Sequence, residues 1–185
     1  MATLSALWLP ILLSAVVIFI ASSILHMVLP YHKNDYSRLP DEDRVVAVLR
    51  SANLKRGLYI FPHCTHQEMN KPEMVEKYKQ GPVGHMTIFQ PGKINMGKYL
   101  GLWFVYCLIV AFFAAYIAAH TLSAGVQYLV VFRIVGATAF MALGIGPLAN
   151  GIWKGQPWGM TIKEVIDGLI YSLLAAGVFG WLWPR

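Results

Sequence analysis

Charged side chains vanish from this sequence over stretches too long for a soluble fold. No Lys, Arg, Asp or Glu occurs in residues 1–32, 99–132, 134–153 or 168–184. An apolar run of about 18 residues or more reads as a membrane span, because a helix without a polar face has no side to turn toward water. Composition agrees: 13% of the residues are charged, against about 25% in a soluble domain. A soluble enzyme, a disordered tail and a collagen-like or coiled-coil rod are excluded.

Four helices fit these runs, at about 4–29, 100–119, 126–148 and 162–182. The stretch 99–132 holds 34 residues, too many for one crossing at about 1.5 Å per residue. It must turn, and His120-Thr-Leu-Ser-Ala-Gly125 is its polar, glycine-containing break. All six tryptophans fall near expected helix ends, where an indole ring sits half in the headgroup region. A cleaved leader has a basic front end and a shorter apolar core, so the first helix is expected to be retained. The expected fold class is membrane all-α: four transmembrane helices with a small cytoplasmic α/β insert between the first and second. Residues 1–29 form the first helix, 30–98 the insert and 99–185 a three-helix bundle.

Thirteen of the 15 basic residues lie in 30–98, in 149–161 or at Lys163 beside it; the others are Arg133 and Arg185. The positive-inside rule then places the insert in the cytoplasm and both termini outside, in the periplasm. The net charge of +6 reads as this orientation signal plus attraction to anionic headgroups. Acidic residues interrupt the basic ones, so no nucleic-acid partner is expected. Cys64 and Cys107 fall in the insert and in the second span, and are expected to be unpaired thiols.

The insert carries its own pattern. Leu39-Pro-Asp-Glu-Asp43 reads as a helix start, with Pro in the first turn and acids facing the positive end of the dipole. Gly57–Phe61 reads as a strand ended by Pro62, Asn70–Lys79 as a helix capped by Asn70, and Val83–Phe89 as a second strand.

Candidate chemistry is sparse. His63-Cys-Thr-His66 contains zinc-ligand types, but a structural zinc site needs four ligands and no second pair is present, so no metal is expected there. Arg133 lies within the third span, where an ionisable residue is a functional candidate by default. It shares a face with Gly136, Ala137, Phe140 and Gly144, which would point it inward, toward Tyr116 or Ser14. Glu164 and Asp167 open the fourth helix, with Tyr171 one turn on. Glu164 offsets the helix dipole; Asp167 sits deeper and is a candidate for proton handling. His26, His32 and Asp35 form a polar elbow where the first helix leaves the membrane at Pro30. His26 and His120 fall at opposite bundle ends, so they cannot share a haem, and no cofactor is expected. Small residues recur every four positions at Ala111, Ala115 and Ala119, at Ala142 and Gly146, and at Ala176 and Gly180, a spacing that lets helices approach closely.

The stretches His26–Asp35, Leu39–Asp43, Ile152-Trp-Lys-Gly-Gln-Pro-Trp158, Asp167-Gly-Leu-Ile-Tyr171 and Phe179-Gly-Trp-Leu-Trp183 together resemble small bacterial inner-membrane proteins with no assigned activity. That resemblance implies a bacterial plasma-membrane setting. It implies no catalysis and carries no functional residues over.

The functional expectation is an integral inner-membrane protein acting as a non-enzymatic accessory or scaffolding subunit. Its expected contacts are the bilayer and either a protein partner or a second copy. Two other readings stand beside it: a small oligomeric transporter or channel using Arg133, and a membrane-embedded enzyme. The last requires Asp167, Tyr171 and the histidine elbow to converge on one cavity.

Overall fold

The computed structural model describes residues 2–185. The chain divides into two units, one of residues 1–35 with 95–185 and one of Tyr36–Ile94.

In the helical unit, α1 (Trp8–Ser23) follows a 3-10 turn and continues as a π turn over Ile24–Val28. Pro30 then opens a short 3-10 turn ending at His32. After the second unit, α4 (Met96–Thr121) is capped by Asn95, whose side chain accepts from the Lys98 amide. A turn leads into α5 (Tyr128–Phe140), a π turn over Met141–Ile145 and α6 (Pro147–Trp153). The last helix is α7 (Trp158–Trp181).

Among the described residues, three stretches are long and apolar enough to cross a membrane: Leu4–Val28, Met96–Thr121 and Tyr128–Trp153. Three of the four expected spans are thus met, and α7 is not clearly a fourth. α7 has 24 residues, but it carries Lys163, Glu164 and Asp167 in its first half, and charge in a span is costly. The third stretch also runs further than expected, to Trp153, so the link to α7 is short.

α7 packs most extensively on α5 and also on α1, while α4 lies against α1 and α5. α4 buries Ala111, Ala114, Ala115, Ala118 and Ala119 and exposes Leu102, Ile109, Phe112 and Phe113. Small residues inside and bulky apolar ones outside is the arrangement of a helix whose solvent is lipid. The Ala176 expectation holds, with Ala176 fully buried. Ala142 and Gly146 are instead exposed, and the buried residues there are Leu143 and Gly144. The closest approach is at Gly168, where a Cβ would run into the backbone of Leu143 and Gly144.

One end of this unit is pinned by its termini. Trp183 Nε1 donates to Ser123 O at 3.0 Å, and the Gly125 amide donates to Pro184 O at 2.9 Å. Ala2 and Leu122 join the same buried cluster as Trp183. Trp103 is likewise tied inward, Nε1 donating to Ser22 Oγ at 2.8 Å. These two indoles serve packing, each with its N–H partnered.

Residues 36–94 form a larger, separately organised region rather than a small insert. It contains α2 (Glu42–Ser51), β1 (Gly57–Phe61), α3 (Pro72–Gln80) and β2 (Gly84–Ile88). β1 and β2 pair antiparallel with Gly57 opposite Ile88 and Phe61 opposite Gly84. The helix starts differ from expectation. Asp41, at φ 49°, precedes α2, which leaves Pro40 outside the first turn, and Glu42 and Asp43 face the dipole. Lys71 rather than Asn70 precedes α3, because Pro72 supplies the preset φ of a first helical residue.

Substitution at the Gly168 contact is expected to be costly. Gly168→Ala should destabilise by about 1–3 kcal/mol through overpacking against rigid backbone. Gly101→Ala, where a Cβ meets nothing within 4 Å, should leave stability unchanged or raised, since alanine is the better helix former. Thermal midpoints in one detergent compare the two; equal midpoints contradict the close approach.

Candidate functional site

The elbow and the start of α7 meet through a chain of polar contacts. Lys163 Nζ donates to Asp35 Oδ1 at 2.6 Å and to the Tyr31 carbonyl at 2.8 Å. Asp35 Oδ2 lies 2.5 Å from His32 Nδ1. On the far side of that ring, Nε2 stands 2.8 Å from Asp167 Oδ2. No regular hydrogen bond forms there, and among the described residues His32 Nε2 and both Asp167 oxygens are buried without a hydrogen-bond partner. The His26 ring stacks on His32, centroids 4.1 Å apart and planes 12° apart. Its Nδ1 lies 3.1 Å from Ser22 O, and its Nε2 is 4.0 Å from Asp167 Oδ2.

Local structure explains how these groups reach one another. Lys163 and Asp167 are four apart on α7 and so share its face. Pro30 ends the first helix and the 3-10 turn folds His32 back. The π turn over Ile24–Val28 rotates His26 onto the same side, and π turns recur at functional sites. Exposure is graded: the side chains of Asp167 and Asp35 are 4% and 5% exposed, that of His32 11%, and that of His26 50%.

Electrostatics follow from the pairing. The hydrogen bond from Lys163 holds the Asp35 carboxyl below the usual carboxylate range, with His32 acting in the same sense and desolvation opposing. The cluster holds two carboxylates and one ammonium, so with both imidazoles neutral it is one positive charge short.

Beside the cluster is a cavity of about 720 Å³ whose lining includes His26, Asp167, Tyr171, Glu164, Trp103 and Leu143. The π turn at Met141–Ile145 forms part of its wall, with Ala142 and Gly146 leaving room where larger side chains would fill it. Tyr171 is buried with its hydroxyl unpartnered. Glu164 accepts from Gln156 Nε2 at 2.8 Å. The wall is otherwise largely apolar, the usual make-up of a small-molecule site with few convergent polar groups.

The remaining candidates lie elsewhere. Arg133 does not point inward: α5 buries Val131, Val135 and Ala139 and leaves Arg133 exposed. Tyr116 is exposed, its carbonyl accepting from His120 Nδ1 at 2.7 Å. Ser14 is buried with no partner. The His63, Cys64 and His66 loop is ordered by Thr65, whose amide and hydroxyl both donate to Glu68. Cys64 Sγ lies 3.2 Å from Tyr78 Oη, and Cys64 and Cys107 are both free. Among the described residues, the set close enough to share an ion is His26, His32 and Asp167.

Sequence reasoning placed the elbow and Asp167 at the same bundle end without joining them, and it missed Lys163. The available signal was the Lys163/Asp167 spacing of four, which aims a cation and an acid at whatever packs on that face. No protein-family model, curated protein or solved structure matches the chain.

The Lys163–Asp35 pair should be coupled. Lys163→Met and Asp35→Asn are each expected to lower stability by about 2 kcal/mol, as removal of one partner strands the other. The double variant should lose clearly less than the sum, and thermal unfolding of all four proteins in detergent gives the coupling. Strict additivity would mean the contact does not hold the elbow.

Proposed function

We propose that this multi-span membrane protein is a membrane-embedded enzyme that acts on the polar group of an amphiphile drawn from the bilayer. The observation that supports it is the meeting of His26 and the buried Asp167 carboxylate on the wall of one cavity that also holds Tyr171, with His32 behind Asp167 at 2.8 Å. Burying a carboxylate without partners is expensive unless something else satisfies it. A cavity with polar groups at one end and apolar walls suits a molecule with a polar head and a hydrocarbon body.

The setting we propose with it is a bacterial plasma membrane, with α7 as a fourth span and both termini outside. The N-terminus, the α4–α5 turn and the Trp183–Pro184 segment gather at one bundle end, as an even number of passes requires. The basic residues of 30–98 then lie inside.

The accessory-subunit reading drew on the lack of a converging set of reactive groups, and that ground weakens once Asp167, Tyr171 and His26 share one cavity wall. Arg133 is exposed and does not line the cavity, so no observation favours a transport path through it.

Lipid extracts of producing cells, compared by mass spectrometry, test the reading. Wild-type protein should convert at least one amphiphile that Asp167→Asn leaves unconverted. Gly146→Leu, which fills open cavity space, should slow the same conversion at least about tenfold, the loss of some 1.4 kcal/mol of transition-state stabilisation. Arg133→Ala should leave it unchanged. Identical lipid profiles for wild type and Asp167→Asn would overturn the proposal.

A further inference from the structure

Both histidines commit the same ring atom elsewhere. His32 Nδ1 faces the Asp35 carboxylate and His26 Nδ1 faces the Ser22 carbonyl. Each acceptor calls for the ring hydrogen at Nδ1, so each neutral ring turns a lone pair outward at Nε2. One nitrogen of each ring and an Asp167 oxygen lie within 4.8 Å of one another, the two Nε2 atoms standing 4.0 and 2.8 Å from Asp167 Oδ2. With both rings neutral, three acceptors therefore stand together with no donor among them.

We propose that His26 Nε2, His32 Nε2 and the Asp167 carboxylate bind a divalent first-row transition-metal ion of the zinc or ferrous type. The proposal rests on the reading of this cavity as a ligand site and names the ion that completes it. Two imidazoles and one carboxylate are the donor set such ions prefer, whereas Mg²⁺ and Ca²⁺ select oxygen. Three protein ligands leave coordination positions free, as at catalytic rather than structural sites. Asp167 and His26 line the cavity, so those positions face it.

Geometry and surroundings fit. A tetrahedral ion about 2.0–2.2 Å from each ligand sets its donor atoms about 3.4 Å apart. The His32–Asp167 and His26–Asp167 separations of 2.8 and 4.0 Å bracket that spacing. The two rings are stacked 12° from parallel, so to aim its in-plane lone pair at the same ion His26 must swing out of the stack; it is the most exposed of the three and is carried on a π turn. The carboxylate on His32 Nδ1 and the carbonyl on His26 Nδ1 are the outer partners that orient metal-binding imidazoles. A proton in place of the ion would link His32 to Asp167. It would leave the other Asp167 oxygen and the facing lone pair of His26 without a partner.

The test uses full-length protein in mild detergent, stripped with chelator and titrated with Co²⁺ and Zn²⁺. We expect one ion per chain by elemental analysis and a Co²⁺ absorption band that Zn²⁺ displaces and millimolar Mg²⁺ does not. Asp167→Asn and His26→Gln should each weaken binding at least about tenfold, with His26→Gln the variant least able to disturb the fold because that side chain is half exposed. Asp35→Asn, which removes both the outer carboxylate on His32 and the partner of Lys163, should weaken binding about 10–100-fold. His63→Ala with His66→Ala should change nothing. Absence of stoichiometric binding, binding indifferent to His26→Gln and Asp167→Asn, or binding lost with His63 and His66 each overturns the site. If no metal binds while Asp167→Asn still blocks lipid conversion, the ion is refuted and the enzyme stands. If metal binds as described without any conversion, the ion stands and the enzyme is refuted.

Discussion

Lys163 fastens the chain reversal after the first helix to the start of α7, its ammonium held between the Tyr31 carbonyl and Asp35. That contact joins residues 128 apart in sequence, and the polar cluster depends on it. Without Lys163, Asp35 has no cation, His32 has no fixed partner on Nδ1, and nothing brings the ring to Asp167. An ammonium between two oxygen acceptors is a strong, directional arrangement when partly screened from water. It is also economical with length, since the elbow is reached by a side chain able to extend from the helix edge.

The bundle around this contact follows from the weakness of hydrophobic sorting in lipid. Helices there gain by close packing rather than by escaping water, and the buried face of α4 is accordingly rich in alanine. The approach of Gly168 to the Leu143–Gly144 backbone is the extreme case. The cavity arises where that packing relaxes. Two π turns, at Ile24–Val28 and Met141–Ile145, contribute lining residues, and each widens its helix by a residue per turn. Small side chains at Ala142 and Gly146 were expected to seal a helix contact; left uncovered, they make space instead.

Long apolar runs, the turn at residues 120–125 and both strands of the 36–94 unit were legible because each is a local pattern in period or punctuation. Helix starts were less so: Pro72 overrode Asn70, and the left-handed Asp41 shifted the start past Pro40. Arg133 shows a limit of face arguments. Small neighbours suggested an inward face, but the interior is set by which stripe meets α7, here Val131, Val135 and Ala139. The charged residues of α7 likewise blur its status as a span. The site was hidden because its parts come from two separated segments, and no periodicity links Ser22–Asp35 to Asp167. The π turn that orients His26 has no sequence signature of its own.

The position of Asp167 follows from these constraints. Nine residues into α7, it lies about 14 Å along the helix from Trp158, deeper than an acid that merely offsets a helix dipole. A carboxylate buried there is unfavourable unless it is paired, and the fold sets two imidazole nitrogens beside it rather than lysine or arginine. Lys163, the nearest cation on its own helix, is turned away to Asp35. A structural ion pair would spend that lysine on Asp167 directly. Sending it to the outer carboxylate leaves Asp167 a full acceptor with two imidazole nitrogens for company, which is the condition for capturing a cation from outside the chain.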